Sequence, residues 1–211
     1  AGRHIYKREP SFPIAVACDP AFNFVYEANI RYLHHLGEVT YFSPLADTSL
    51  PDAGFVYLPG GYPELYLAAL SANRQMLQSI RRYVESGGKL LAECGGMMYL
   101  CDEIRDKNGY VYPMAGVLHQ SATMENMKLR LGYRTLLYNE TRLKGHEFHY
   151  SRLVEQQNPL PSCAVAYTAK GVETDTPLYH YKNVWAGYTH LYWADPVGNE
   201  WFTKFVIDGN T

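Results

Sequence analysis

The sequence is poor in cysteine and has no CxxC pair. Domains that depend on disulfides carry a denser set, so a disulfide scaffold is excluded and a reducing, cytoplasmic location is expected. The sequence also lacks an apolar run near the ~18 residues of a membrane span, and Ala1–His4 contains no apolar signal core. A membrane partner is therefore not expected. The four cysteines are Cys18, Cys94, Cys101 and Cys163.

An excess of positive charge is also missing. Nineteen Lys and Arg residues stand against twenty-one Asp and Glu residues, which gives a net charge of −2 over 211 residues. Such a balance supplies no basic field for a phosphate backbone, so a nucleic-acid partner is not expected. The sequence has no GxxxxGK[ST] phosphate-binding loop, internal repeat or low-complexity segment. Its 47% hydrophobic and 19% charged residues are typical of a folded globular protein.

Strand-like and helix-like segments alternate in the first half of the sequence. Short apolar runs bounded by Gly and Pro predict strands, and apolar residues at helical spacing predict helices between them. This order predicts an α/β fold with an open, mostly parallel sheet that has helices on both faces. The predicted strands are Ile14–Cys18, Val39–Phe42, Phe55–Leu58 and Lys89–Glu93. The predicted helices are Phe24–Leu36, Pro63–Ser86 with an interruption near Ser71–Asn73, and Met97–Ile104.

The second half reads as extended segments separated by Asn, Gly, Thr and Pro. We expect these segments to be antiparallel strands attached to the same sheet, followed by a helix over Asn199–Ile207. No linker divides the chain, so residues 13–211 are predicted to form one domain. Residues 1–12 are interpreted as a linker remnant or an expression leader. The predicted extended segments are Tyr110–Leu118, Leu131–Tyr138, His146–Glu155, Ala164–Thr168 and Ala186–Trp193.

The turn around Cys94 is the most informative feature. The apolar strand Lys89–Glu93 runs into Cys94, two glycines follow, and a helix begins. A nucleophile on such a turn projects above the carboxyl edge of the sheet, and the helix N-terminus is expected to lower the pKa of its thiol. The alternative is a buried structural cysteine, and this turn alone favours neither.

A second glycine turn follows the predicted strand Phe55–Leu58. If the two turns face each other across the sheet edge, the N–H groups of Gly61 and Gly95 can bracket one oxygen, as acyl transfer requires. The alternative is that both are simply tight loops that need glycine.

A thiol nucleophile also needs a base, and the sequence has eight histidines. His190 lies late in the segment Ala186–Trp193 and is placed to emerge at the sheet edge. His146 and His149 are three residues apart on a predicted strand and point to opposite faces, so no metal site is predicted. Sequence reasoning alone does not choose the base among these and the remaining histidines, His4, His34, His35, His119 and His180.

Two motifs, GGYPE at Gly60–Glu64 and AECGGMMYL at Ala92–Leu100, carry a family resemblance. The chain resembles the glutamine amidotransferase domain of the triad class, in its cobyrinate a,c-diamide synthase branch, over about residues 13–207. That resemblance implies the flavodoxin-like fold of class I glutamine amidotransferases. Further similar segments are FSPLAD (Phe42–Asp47), YPMAGVL (Tyr112–Leu118), LGY (Leu131–Tyr133), GHEFHYS (Gly145–Ser151) and the segment Thr189–Leu191.

The resemblance implies that the domain is a glutaminase. Cys94 would attack the side-chain amide of glutamine, His190 would shuttle the proton, and water would release glutamate from a thioester. The implied oxyanion and substrate-binding residues are Gly60, Gly61, Gly95 and Met98. No cofactor is implied in this domain. The ammonia would pass to an N-terminal synthetase domain, absent from this chain, that uses ATP and Mg²⁺ to amidate cobyrinic acid at its a and c positions in cobalamin biosynthesis.

The sequence departs from the family pattern at two positions. The wider class has a glutamate two residues after its histidine, where this sequence has Tyr192, and Glu147 is our candidate for that third role. It also has glutamine four residues after the nucleophile, where this sequence has Met98. Three alternatives stay open: an amidotransferase for another corrinoid or tetrapyrrole acid such as cobyric acid synthase, a cysteine hydrolase of the same fold, and a non-catalytic interaction domain. A homodimer is also left open.

Overall fold

The computed structural model describes residues 12–209, and fifteen strands and five α-helices are assigned within that range. Residues 1–11, where we expected a linker remnant or leader, lie outside the described residues. None of the helices within residues 12–209 combines the length and apolar character needed to traverse a bilayer. The helices are α1 (Glu27–Leu36), α2 (Leu67–Ala72), α3 (Arg74–Glu85), α4 (Gly95–Leu100) and α5 (Pro196–Trp201), with a 3-10 turn at Pro63–Leu65 and a π-helical turn at Phe202–Ile207.

The central sheet has six strands in the order β13-β14-β4-β3-β1-β2. All neighbouring strands pair in parallel except β13, which is antiparallel to β14. This arrangement confirms the predicted open, mostly parallel sheet. Its strands are β1 (Pro13–Ala17), β2 (Glu38–Phe42), β3 (Phe55–Leu58), β4 (Lys89–Glu93), β13 (Leu178–Tyr181) and β14 (Val184–Gly187).

Both faces of the central sheet are covered, because alternate residues of each inner strand enter different cores. In β3, Phe55 and Tyr57 pack into one hydrophobic cluster, while Val56 and Leu58 pack into the other. Helix α3 covers the second cluster, and α1, α5 and the π-helical turn cover the first. Fully apolar strands are what a sheet buried on both faces requires, so the prediction of helices on both faces is also confirmed.

The expectation that the predicted antiparallel segments join the central sheet was wrong, because none of Tyr110–Leu118, Leu131–Tyr138, His146–Glu155 and Ala164–Thr168 contributes a strand to it. The later strands that do join it are β13, which was not predicted, and β14, which overlaps the start of Ala186–Trp193 and is parallel to β4. The others form a four-stranded sheet, β10-β7-β5-β6, and a five-stranded sheet, β12-β11-β8-β9-β15. The hairpin of β8 and β9, nine residues each, pairs along its whole length and so starts its own sheet. These strands are β5 (Glu103–Arg105), β6 (Val111–Pro113), β7 (Ser121–Thr123), β8 (Arg130–Tyr138), β9 (Thr141–His149), β10 (Arg152–Leu153), β11 (Val165–Thr168), β12 (Glu173–Thr174) and β15 (His190–Leu191).

Three helix boundaries differ from the sequence prediction for local reasons. Helix α1 begins at Glu27 because the N–H of Phe24 donates to the carbonyl of Gly60 and holds the chain extended there. Helix α4 ends at Leu100, and the chain turns through Cys101 into strand β5. The last helix begins early, at Pro196, because the carboxylate of Asp195 caps it by accepting from the N–H of Gly198.

Candidate active site

Cys94 occupies a sharp turn between β4 and α4. Its backbone has φ 50° and ψ −108°, a left-handed φ that is rare for a residue with a side chain. The turn is fixed from both ends: the Cys94 N–H donates to the carbonyl of Gly187, and the Cys94 carbonyl accepts from the N–H of Met98. A strained strand–turn–helix junction of this kind is typical of a nucleophile at a sheet edge.

The two glycine turns predicted from the sequence meet. A Cβ on Gly95 would lie 2.7 Å from Cδ of Pro63 and 3.2 Å from the nitrogen of Gly61. A Cβ on Gly60 would lie only 2.2 Å from Cε1 of His190. The turn Gly60–Gly61 therefore lies against both the Cys94 turn and the imidazole of His190, and only glycine permits these approaches.

The Cys94 thiol is buried, with 3% of the residue exposed, and donates to the carbonyl of Phe148 at 3.5 Å. We expected the helix N-terminus to lower its pKa, and this expectation was wrong for the structure as it stands. Burial raises the pKa of Cys94, the negative charge of Glu64 raises it further, and the N–H of Gly95 opposes them only in part. Cys94 is thus a buried thiol whose pKa is raised.

His190 lies on β15 and is 3% exposed. Its ring packs on Phe24 with the centroids 4.5 Å apart, and its buried Nδ1 atom has no hydrogen-bond partner in the described part of the chain. Burial, followed by the charges of His146 and His149, lowers the pKa of His190 to about 3. A neutral imidazole is the form that can accept a proton from a thiol.

Glu147 is the candidate third residue. Within residues 12–209, its side chain makes no hydrogen bond to His190. Its Oε1 atom bonds Nε2 of His149 at 2.7 Å, and its Oε2 atom accepts from Nε of Arg134 at 2.5 Å and from Oγ1 of Thr176 at 2.9 Å. Burial alone would raise the pKa of Glu147, but the bonds from His149 and Thr176 and the charge of Arg134 lower it to about 2. Glu147 is therefore a buried, ionised carboxylate committed to other partners.

Met98 lies one turn of α4 beyond the nucleophile and is 2% exposed. Its sulfur accepts from the hydroxyl of Ser151 at 3.3 Å, and Ser151 in turn bonds the hydroxyl of Tyr188 at 2.9 Å. The ring of Tyr188 stacks on His149 at a centroid distance of 3.6 Å. The structure thus joins Met98 to the group around Glu147.

A cleft of about 680 Å³ opens beside this group. Within residues 12–209, no three His, Cys, Asp or Glu residues come together as ligands for a metal ion. Residues that line the cleft include Gln120, Arg130, Glu147, His149, Arg152 and Tyr188.

Sequence reasoning missed Glu93, the residue directly before the nucleophile. Its side chain is buried and has no cationic partner among its hydrogen bonds: Oε2 accepts from the Tyr57 hydroxyl at 2.9 Å, and Oε1 accepts from the Leu191 N–H and the Trp193 indole N–H, both at 3.3 Å. Burial raises the pKa of Glu93 to about 8. A charged residue type at the end of an apolar strand was the only signal in the sequence.

Asn29 on α1 was also missed. It is fully buried, its amide nitrogen donates to the carbonyl of Leu191 at 2.8 Å, and its amide oxygen accepts from the N–H of Trp193 at 2.9 Å. Helical spacing placed position 29 on α1 but gave no hint of partners more than 160 residues away.

Glu64 is the third residue that the sequence did not single out for a role. It follows the glycine turn within the 3-10 turn Pro63–Leu65, and its Oε2 atom is buried without a hydrogen-bond partner. Burial raises the pKa of Glu64, and the charge of His149 opposes this rise. An unpaired carboxylate oxygen thus lies close enough to Cys94 to affect its thiol.

Comparison with known proteins bears on the family and the fold of the chain. The model of the CobB/CobQ-like glutamine amidotransferase domain matches residues 13–197. The chain is 40% identical over 185 residues to a hydrogenobyrinate a,c-diamide synthase of Pseudomonas aeruginosa, covering 85% of this chain and 41% of that protein. It is also 40% identical over 188 residues to a cobyrinate a,c-diamide synthase of Fusobacterium nucleatum, with the same coverage of both chains. The chain thus spans about two fifths of the length of these relatives.

A solved structure described as a glutamine amidotransferase has the same fold. It superposes with a TM-score of 0.57 at 17% identity and covers 92% of this chain and 98% of its own. At that identity the similarity concerns the fold alone.

Proposed function

Because the chain belongs to the CobB/CobQ-like glutamine amidotransferase domain family, we propose that it hydrolyses glutamine through a thioester on Cys94. The observation that carries this proposal is the meeting of the strained Cys94 turn with the Gly60–Gly61 turn, which also touches His190. The unit is proposed to extend over residues 13–211. A nucleophile, N–H donors and a neutral imidazole in one place are the parts that acyl transfer needs.

The proposed reaction begins when His190 takes the proton of the Cys94 thiol and the sulfur attacks the side-chain amide carbon of glutamine. The carbon–oxygen double bond becomes an oxyanion, to which the N–H groups of Gly61 and Gly95 are proposed to donate. The imidazolium of His190 then returns the proton to the leaving nitrogen, the carbon–nitrogen bond breaks, and ammonia departs. Water attacks the thioester, His190 accepts its proton and passes it to sulfur, and glutamate is released.

Glu64 is proposed to bind the α-ammonium of glutamine. Its Oε2 atom has no hydrogen-bond partner among residues 12–209, and an amino acid substrate supplies the cation that this buried oxygen lacks. The charge of Glu64 is also one cause of the raised pKa of Cys94. An ammonium group beside Glu64 would offset that charge, so glutamine binding would itself favour formation of the thiolate.

The ammonia is proposed to serve a synthetase in the remainder of the whole protein, in the cytoplasm. This sequence contains no GxxxxGK[ST] phosphate-binding loop, and the use of ATP and Mg²⁺ is assigned to that remainder. The relatives named a,c-diamide synthases make cobyrinic or hydrogenobyrinic acid the proposed acceptor. The partners of this domain are then glutamine and the synthetase.

A glutamine-derived diazo-ketone tests the glutaminase proposal in the full-length protein. Peptide mass spectrometry should find the label on Cys94 and not on Cys18, which is exposed and serves as the internal control for general thiol reactivity. Glutamine should protect Cys94 from the label. Labelling of Cys18 without labelling of Cys94 would contradict the proposal and favour a non-catalytic domain.

The acceptor is tested by product analysis. The full-length protein with cobyrinic acid, ATP, Mg²⁺ and glutamine should yield a- and c-amidated product. Cys94→Ser should abolish this reaction with glutamine and retain it with ammonium salts. Amidation of only a different corrinoid acid would overturn the acceptor proposal and leave the glutaminase proposal intact.

A further inference from the structure

The two-residue strand β15 carries His190, and two buried side chains hold it in place. His190 pairs with His146 of β9, whereas the backbone groups of the next residue, Leu191, are bonded by side chains. Leu191 lies opposite Gly145 of β9, but successive residues of a strand direct their N–H and C=O groups to opposite sides, so the N–H and C=O of Leu191 point away from β9. Glu93 accepts from the Leu191 N–H, and Asn29 donates to its carbonyl.

We propose that Glu93, assisted by Asn29, is the positioning residue that replaces the carboxylate missing at Tyr192, by fixing the backbone of His190 relative to Cys94. The inference rests on the proposed role of His190 as the base. It differs from a catalytic triad because the carboxyl group acts on the chain beside the imidazole and not on the imidazole itself.

The connection between nucleophile and base is short. Glu93 is covalently joined to Cys94, and its Oε1 atom bonds the N–H of the residue that follows His190. Any shift of β15 away from β4 must break this bond and leave the Leu191 N–H unpaired in the interior, which is costly. The Glu93 carboxyl group therefore links the position of the imidazole to that of the thiol, in addition to the bonds of β15 with Asn29 and β9.

The surroundings of Glu93 suit a fixed support. Its three hydrogen-bond donors are all neutral and belong to buried residues, namely Tyr57, Leu191 and Trp193. Tyr57 also packs edge-on against Trp193, with centroids 4.8 Å apart. Because no mobile ion pair is involved, the geometry depends on packing and is insensitive to salt.

The Glu147 carboxylate does not hold β15. Both oxygens of Glu147 are bonded by Arg134, Thr176 and His149, and none of these partners belongs to β15. Of Glu93 and Glu147, Glu93 is the one that bonds the segment of His190 within the described residues.

Two substitutions of Glu93 in the full-length protein separate the effect of its hydrogen-bond acceptor from the effect of its side-chain size. Glu93→Gln keeps an acceptor for the Leu191 N–H and should retain kcat for glutamine hydrolysis within about threefold. Glu93→Met keeps the length but removes the acceptor, and should lower kcat about 100-fold with little change in KM, as expected for a displaced base. Tyr99→Phe is the matched control, because it removes a buried hydroxyl that has no partner and should leave activity unchanged.

The alkylation of Cys94 by iodoacetamide gives a readout that a purely structural role would not change. In wild type and Glu93→Gln, the rate should depend on pH through both the thiol and His190. In Glu93→Met, the rate should follow the thiol alone, with its inflection at higher pH. Equal kcat values and equal pH profiles for the Gln and Met variants would overturn the inference.

Two further measurements apply if Glu93→Met fails to fold. Asn29→Ala removes both bonds of the opposite side chain and should lower kcat about tenfold at constant KM. In the wild-type protein, the Leu191 amide should exchange with solvent only through global unfolding. Unchanged kcat in Asn29→Ala, or rapid exchange of the Leu191 amide, would also overturn the inference.

The test distinguishes this inference from the proposed function. If the wild-type protein does not hydrolyse glutamine, the proposed function fails, whatever position 93 contributes. Amide exchange at Leu191 and alkylation of Cys94 do not depend on glutamine, so they still decide whether Glu93 holds β15.

Discussion

Two buried glutamates near Cys94 and His190 have pKa values that are shifted in opposite directions. Glu93 lies among neutral donors in the central sheet, and burial raises its pKa to about 8. Glu147 lies in the β8–β9 hairpin beside Arg134 and His149, and its pKa is lowered to about 2. Both residues are 1% exposed, so solvent exposure does not explain the difference.

The difference is explained by the partners. A cation at hydrogen-bond distance stabilises a buried carboxylate enough to keep it ionised, whereas neutral donors offset only part of the unfavourable desolvation. The Glu147 group is therefore a charged structural cluster that borders the cleft. The Glu93 group is a neutral support that keeps the base near the nucleophile. Each prediction below tests one side of this comparison.

The largest expected effect is on the charged side. Glu147→Ala leaves Arg134 and His149 without their anion, so we expect the free energy of unfolding to fall by about 3–5 kcal/mol in urea titrations. Glu93→Gln, which removes no charge partner, should cost much less. Equal losses in the two variants would contradict the proposed difference between the clusters.

The pH dependence of stability should differ in sign between the two glutamates. Because the pKa of Glu93 is raised, the folded state retains a proton that the unfolded chain loses as pH rises from about 4.5 to 8. The free energy of unfolding therefore decreases over this pH range. The lowered pKa of Glu147 means that its stabilisation is present above about 4.5 and is lost as pH falls towards 2.

Unfolding of wild type, Glu93→Gln and Glu147→Gln across pH measures both effects. The difference between wild type and Glu93→Gln should change by at most about 1.4 kcal/mol per pH unit between 4.5 and 8, in favour of the variant. A difference that stays constant over this window would show that Glu93 is ionised throughout.

Glu64 extends the comparison to a carboxylate whose Oε2 atom has neither cation nor neutral donor. Glu64→Gln should lower kcat/KM for glutamine about 10- to 100-fold, mainly through KM, because the α-ammonium loses a charged partner. In the absence of glutamine, iodoacetamide should react faster with Cys94 of this variant at a given pH, because one cause of its raised pKa is gone. Unchanged KM would exclude Glu64 from glutamine recognition.

Tyr57→Phe tests the neutral side by removing the donor to Oε2 of Glu93. We expect the free energy of unfolding to fall by about 1–3 kcal/mol, because a buried polar atom loses its partner. Tyr99→Phe is the control and should change stability by less than about 0.5 kcal/mol. Equal losses of unfolding free energy in the two variants would indicate that the hydroxyl of Tyr57 does not stabilise Glu93.

The smallest effect is expected at Arg130 and Asp175, which form an ion pair at the rim of the cleft. This pair is exposed to solvent, whereas the pair of Arg134 and Glu147 is buried. The two side chains are 46% and 75% exposed. Arg130→Ala should change stability by no more than about 1 kcal/mol, and that change should vanish in high salt. A loss as large as that of Glu147→Ala would mean that burial is irrelevant to these pairs.

Much of the fold was predictable because its signals are local. The apolar strands around Val56 and Leu91, the glycine turns at Gly60 and Gly95 and the turn at Cys94 are each encoded within a few residues. The pairing of later strands was not, because a long hairpin can either extend a sheet or start another, and alternation of residue types does not distinguish the two.

The supporting residues of the site were not predictable for a related reason. Glu93 bonds Leu191, 98 residues away, and Asn29 bonds the same residue from 162 residues away. Neither contact leaves a periodic trace in the sequence. The pKa of Cys94 was mispredicted because a helix N-terminus is visible in sequence, whereas burial and the charge of Glu64 depend on tertiary packing.

The most direct test of the central claim is acid quenching of the full-length protein during turnover with glutamine, followed by peptide mass spectrometry. Attack by Cys94 predicts a glutamyl thioester on the peptide that contains Cys94, which disappears when glutamine is exhausted and does not form in Cys94→Ser. Glutamine consumption that continues in Cys94→Ser, or an adduct on a different cysteine, would contradict the account.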